Sequence, residues 1–220
     1  MSRLLLLAIV SALMAPSTTN AAPSGAFRDG FTTLDPARWT AGEHQLGRSA
    51  LTAGNVLVRN GALELVLPAG STDGGEIRST QTYASGVATT RMRVASAPSS
   101  ITGFFLYAAP DYASEIDIEV FNDPSGKVMF STYAGGRQTH TETRTLGFDP
   151  TAAPHDYEIA WGSGRVSFSV DGVVLRTWTT GVTKLPMNLY ANAWFPAWLD
   201  GLAPTGRQAT VIDQIEYRRR

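Results

Sequence analysis

The stretch Ser114-Glu115-Ile116-Asp117-Ile118-Glu119-Val120-Phe121-Asn122 decides how the rest of the chain is read. Its acids Glu115, Asp117 and Glu119 alternate strictly with Ile116, Ile118 and Val120. A period of two marks a half-buried β-strand, because successive side chains point to opposite sides of a sheet. The isoleucines then face a core, and the acids face outward together. Carboxylates side by side repel and raise one another's pKa, and no Lys or Arg intervenes here to relieve them. Either water absorbs that cost or the acids have a shared use.

The same alternation recurs on both sides of this strand. NVLVRNGALELVL, GVATTRMRVA, GFFLYAA, GKVMFSTYA, HDYEIAW, RVSFSVDGVVLRTW and TVIDQIEY each read as strands separated by turn residues. Asn60-Gly61 and Asp171-Gly172 sit between alternating halves, where a tight hairpin turn needs residues that accept positive φ. No apolar pattern of period 3.6 runs for three turns, so helices should be few and short. Many short strands without βαβ alternation predict an all-β sandwich of two antiparallel sheets.

Composition narrows the function classes. Net charge is -1, from 18 basic and 19 acidic residues, which leaves no electrostatic footprint for nucleic acid or an anionic membrane. The absence of cysteine excludes disulfides, thiolate metal sites and a cysteine nucleophile. At the N-terminus, Arg3 precedes an apolar run from Leu4 to about Ala15 and small residues around Ala21 and Ala22. This pattern predicts a cleaved signal peptide over 1–22 and a secreted or periplasmic protein. The run is too short for a membrane span, so no membrane association is expected after cleavage. Residues 23–220 read as a single domain, expected to be monomeric.

Two carboxyl groups flanking a glycosidic bond are the machinery of glycoside hydrolysis. Glu115 and Glu119 offer such a pair, but four residues of extended strand separate their Cα atoms by ~13 Å. A retaining enzyme needs its carboxyls within roughly 5 Å. The two long side chains must therefore lean together over Asp117 across a concave sheet. Asp117 could hydrogen-bond one glutamate and hold the other protonated. The plainer alternative is a solvated acidic strand.

Beyond the triplet, GGEIRSTQTYASG, GFFLYAA, EIDIEVFN, KVMFSTY, LGFDPTAAPHDYEIAW, VSFSVDGVVLRT, KLPMNLYANAW and DQIEY occur in an order that resembles glycoside hydrolase family 16. The bacterial lichenases, which are endo-β-1,3-1,4-glucanases, look nearest, with related exopolysaccharide depolymerases beside them. The resemblance implies a concanavalin-like β-jelly roll with a substrate cleft on its concave face. It further implies Glu115 as nucleophile, Glu119 as acid/base and Asp117 as the assisting residue of a retaining endo-glycosidase acting on a polysaccharide. Within this resemblance the unbulged E-x-D-x-E sides with the lichenase and exopolysaccharide-depolymerase branches, which implies a β-1,4 bond in a mixed-linkage glucan or related exopolysaccharide. Glu76 and Arg78 match cleft positions, although alone they could be an ordinary ion pair. Phe105 and Tyr107 match cleft aromatics but could be core, and Tyr133, Asn188, Tyr190 and Trp194 are further substrate-binding candidates. No cofactor is required by such chemistry. A structural Ca²⁺ in many members points to Asp213 as a possible ligand.

Three departures from the resemblance bear on specificity. Ala113, preceded by Tyr112, stands where lichenases carry a Trp two residues before the nucleophile. GEHQLGRSALTAG aligns poorly with the N-terminal cleft loop, and the lichenase disulfide cannot form. His44, His140 and His155 lack metal-ligand spacing and read as surface or loop residues. A transglycosylase of the same fold and a non-catalytic lectin-like module are the alternatives. The triplet argues against the lectin, since a pure binder has no use for three repelling acids.

Overall fold

The computed structural model describes residues 25–220, so the expected leader over 1–22 lies outside the described residues. Its strands in chain order are β1 (Phe27–Asp29), β2 (Trp39–Ala41), β3 (His44–Leu46), β4 (Ser49–Leu51), β5 (Val56–Arg59), β6 (Ala62–Leu67), β7 (Gly75–Tyr83), β8 (Gly86–Arg93), β9 (Ile101–Ala108), β10 (Ser114–Phe121), β11 (Lys127–Ala134), β12 (Gln138–Thr145), β13 (His155–Gly162), β14 (Arg165–Val170), β15 (Val173–Trp178), β16 (Met187–Trp194) and β17 (Gln208–Arg218). One 3-10 turn, Ala53–Asn55, is the only helical element among the described residues.

The strands form two large antiparallel sheets. One runs β15-β14-β13-β8-β17-β6-β5 with β1 beside β17, and the other runs β12-β11-β10-β9-β16-β7-β2. A small hairpin, β3-β4, stands apart from both. The turns follow their residues: Asn60 and Gly61 have φ 54° and 74°, Asp171 and Gly172 have 48° and 76°, as a type I′ hairpin demands.

Between the sheets, alternation becomes packing. Ile116, Ile118 and Val120 of β10 are fully buried beside Phe104, Leu106 and Phe130. Phe130 stacks at 4.9 Å on Phe168 of the opposite sheet. A chain of buried hydrogen bonds also crosses the sandwich. Ala95 N donates to Thr210 Oγ1, the Thr210 and Thr102 hydroxyls pair at 2.6 Å, Thr102 donates to Asn122 Oδ1 and Asn122 Nδ2 donates to Ser100 Oγ. Each donor of this chain of bonds meets an acceptor, so these groups cross the core without an unpaired cost.

Candidate active site

With the isoleucines committed to the core, the acids of β10 stand on the face of the seven-stranded sheet turned away from it. Pairing of β10 is unbroken with β9 from Ser114↔Ala108 to Phe121↔Ile101, and with β11 from Ser114↔Ala134 to Val120↔Val128. No bulge interrupts the triplet, so register assembles three rows across the sheet. Met129, Glu119, Gly103, Asn192 and Glu76 make the first; Ser131, Asp117, Phe105, Tyr190 and Arg78 make the second. Tyr133, Glu115, Tyr107 and Asn188 make the third. A groove of about 990 Å³ lies over them.

The acids titrate as one unit. Burial, more than any other cause, raises Glu115 to about 7, with the charge of Asp111 adding to the rise, while a hydrogen bond from Asp117 pulls it back. Glu119 is raised to about 7 by burial and then by the charge of Glu115. Asp117, only 5% exposed, is held well above its usual range by burial, by both glutamates and by donating to Glu115. Its Oδ1 is buried without a partner, as suits a protonated acid better than a carboxylate. The surroundings of the two glutamates differ: Glu115 accepts the hydrogen bond from Asp117, which favours its charged form, and Glu119 lies in the field of Glu115.

Around the triplet, Phe105 stacks on Tyr190 at 4.9 Å, and Tyr107 meets Tyr190 edge-on at 5.9 Å. These rings floor the groove, while Phe104 and Leu106 take the core side. Glu76 and Arg78 also line it. Glu76 Oε2 accepts from Asn192 Nδ2 at 3.2 Å, and Asn192 Oδ1 accepts from Gly103 N at 3.2 Å. A Cβ at Gly103 would stand 2.6 Å from that Oδ1, so the floor beside Glu119 must be bare. Tyr133 lines the groove with its hydroxyl held by Gln138 Nε2 at 2.9 Å. Trp194 lines the groove near Gly47, where a Cβ would approach its ring to 2.6 Å.

Asn188 departs from its expected role, and His44 and Asp213 acquire charged partners. Asn188 shares its row but does not line the groove; its amide donates to Ser79 O and Gln81 O, bridging the register break opposite β7. His44 is not a bystander, since it lines the groove with Nε2 3.8 Å from Glu76 Oε1. Asp213 sits at a register break in β17 with Oδ2 3.7 Å from Arg91 Nε, so a guanidinium answers its charge. Among the described residues no group of three or more His, Asp or Glu could hold a metal.

Other groove residues went unread in the sequence. Asn192, Gln138 and Trp198 line it, beside Tyr112. Trp198 is 55% exposed and lies edge-on to Phe121 at 6.0 Å. Its loop is pinned by Arg48, whose guanidinium donates to Ser99 O, Pro196 O, Leu199 O and Gly201 O at 2.8 to 3.3 Å. Arg48→Ala strands those carbonyls and should cost about 2–3 kcal/mol, or ~5–10 °C in Tm by thermal unfolding. Arg48→Lys should rescue little of it, because an ammonium lacks the planar fork of donors that spans them.

Comparison with known proteins places this geometry. The β-glucanase of Bacillus amyloliquefaciens is 30% identical, with all of each chain covered. The solved β-glucanase of Bacillus licheniformis superposes with a TM-score of 0.82 at 27% identity, over 90% of this chain and 100% of that one. The κ-carrageenase of Pseudoalteromonas carrageenovora, solved with an oligotetrasaccharide of κ-carrageenan, shares the fold with a TM-score of 0.74 at 16% identity, over 92% of this chain and 98% of that one. Residues 46–214 match the family described as glycosyl hydrolases family 16, with β10 and its acids inside the match. The chain therefore belongs to glycosyl hydrolase family 16 and is a glycoside hydrolase.

Proposed function

We propose that the protein is an exported endo-β-glucanase that cleaves a β-1,4 bond of a mixed-linkage or related uncharged β-glucan with retention of configuration. The observation that carries the reading is the unbroken register of β10, which lines the groove with Glu115, Asp117 and Glu119 in succession, Asp117 donating to Glu115. In the first step a Glu115 oxygen bonds to the anomeric carbon as the glycosidic bond breaks, and the Glu119 proton passes to the departing oxygen. In the second, Glu119 takes a proton from water, the water oxygen bonds to the anomeric carbon and Glu115 leaves as carboxylate. Phe105 and Tyr190 offer ring faces to the sugars, and Glu76, Asn192 and Arg78 offer hydroxyl partners. Pairing along β10 is unbroken, and the resemblance to lichenases, which share an unbulged E-x-D-x-E, favours the β-1,4 bond.

Groove charge favours a neutral polymer. Glu43, Glu76, Asp111 and Glu115 line it against Arg78. Sulfate or carboxylate groups on a glycan would meet a field of their own sign. Wild-type protein should release oligosaccharides from mixed-linkage glucan and leave κ-carrageenan uncut, as read by reducing ends. Cleavage of the sulfated polymer at a comparable rate would overturn this choice of substrate class. Export rests on the leader pattern from Arg3 to Ala22, and predicts a mature N-terminus near that point in culture medium or periplasm.

A further inference from the structure

The β9–β10 connection holds a ring that the chemistry above does not use. Tyr112 has φ 63°, a left-handed conformation that a bulky residue seldom adopts without compensation. The connection is locked from across the rim: Gly136 N donates to Tyr112 O and Gly135 N to Ala113 O, each at 3.1 Å, and Ala113 N donates to Pro110 O at 3.0 Å. Burial does not repay the strain, because Tyr112 stays 55% exposed. What the conformation achieves is placement. The ring stands on the groove lining, its centroid 5.5 Å from that of Tyr133, the β11 partner of Glu115.

We infer that Tyr112, together with Tyr133, forms an aromatic platform for a sugar ring at the Glu115 end of the groove, and that this platform sets how tightly a chain is held there. Pyranose rings present C–H faces that pack on aromatic rings, and a partly exposed pair at the groove wall leaves such faces available. The locked backbone means that little ordering is needed when sugar arrives. The inference rests on reading the groove as a β-glucan site.

Glycine separates the ring from the loop, since it accepts φ 63° without strain. Tyr112→Gly should therefore keep Tm at or above that of wild type. With mixed-linkage glucan its KM should rise about tenfold, kcat changing by less than about twofold. Tyr112→Phe, which keeps the ring and loses the hydroxyl, should stay within about twofold of wild-type KM. A Tyr112→Gly protein with unchanged KM overturns the platform, as does one whose KM rises only alongside a fall in Tm. A change in kcat at constant KM also overturns it. If wild type cuts no polysaccharide, the functional reading fails and takes the platform with it, whereas active wild type beside an unaffected Tyr112→Gly removes the platform alone.

Discussion

Glu115→Gln is expected to lose at least ~10³-fold in kcat on β-glucan while still binding it. The amide is nearly isosteric and fits the same place on β10, but its oxygen is too weak a nucleophile to displace a sugar oxygen. Glu119→Gln should be similarly inert on polysaccharide for a different reason, the loss of the proton donor. The two variants separate on a dinitrophenyl glycoside, whose leaving group departs without a proton. There Glu119→Gln should form the glycosyl intermediate, and Glu115→Gln should remain dead. Equal behaviour of both variants on both substrates would mean that the nucleophile and proton-donor roles are not divided between Glu115 and Glu119.

The same carboxyls should make stability fall as pH rises toward neutrality. In the unfolded chain Glu115 and Glu119 ionise near 4.5, whereas in the fold each is raised to about 7. Asp117 is raised well above 3.8. Between about pH 4.5 and 7 the folded state thus binds more protons than the unfolded state, so stability declines across that window. Below it the protonated acids cost little, and above it the full repulsion and burial cost remains. Glu115→Gln removes one charge from the cluster. Its Tm should match that of wild type near pH 4.5 and exceed it by about 3–10 °C at pH 7.5, from roughly 1–3 kcal/mol. A Tm difference that does not change with pH would show that the cluster carries no such strain.

Strong local patterns made part of this molecule legible from the residues alone. Alternation in β10 sent Ile116 and Ile118 inward and the acids outward, and Asn60-Gly61 and Asp171-Gly172 turned where their φ preferences required. What escaped depends on long-range register. Asn192 becomes a groove residue because β16 lies between β9 and β7, which puts its amide between Gly103 and Glu76. Asn188 has the same parity, yet a register break in the pairing with β7 draws its amide into the backbone instead. Arg48 and Trp198 lie in irregular segments, and only the folded chain shows that one arginine gathers four carbonyls to hold the other's loop. His44 looked isolated because its partner Glu76 is on another strand.

The division of labour within Glu115-Ile116-Asp117-Ile118-Glu119 is the central claim, and trapping the intermediate tests it most directly. Incubation with a 2-deoxy-2-fluoro-β-gluco-oligosaccharide bearing a dinitrophenolate leaving group should slow glycosylation less than turnover and let the covalent enzyme accumulate. Peptide mass spectrometry should then locate one sugar on the Glu115 carboxyl, with none on Glu119 or Asp117. A label on either of those residues would contradict the assignment, as would active enzyme that forms no adduct and releases its first product with inverted configuration.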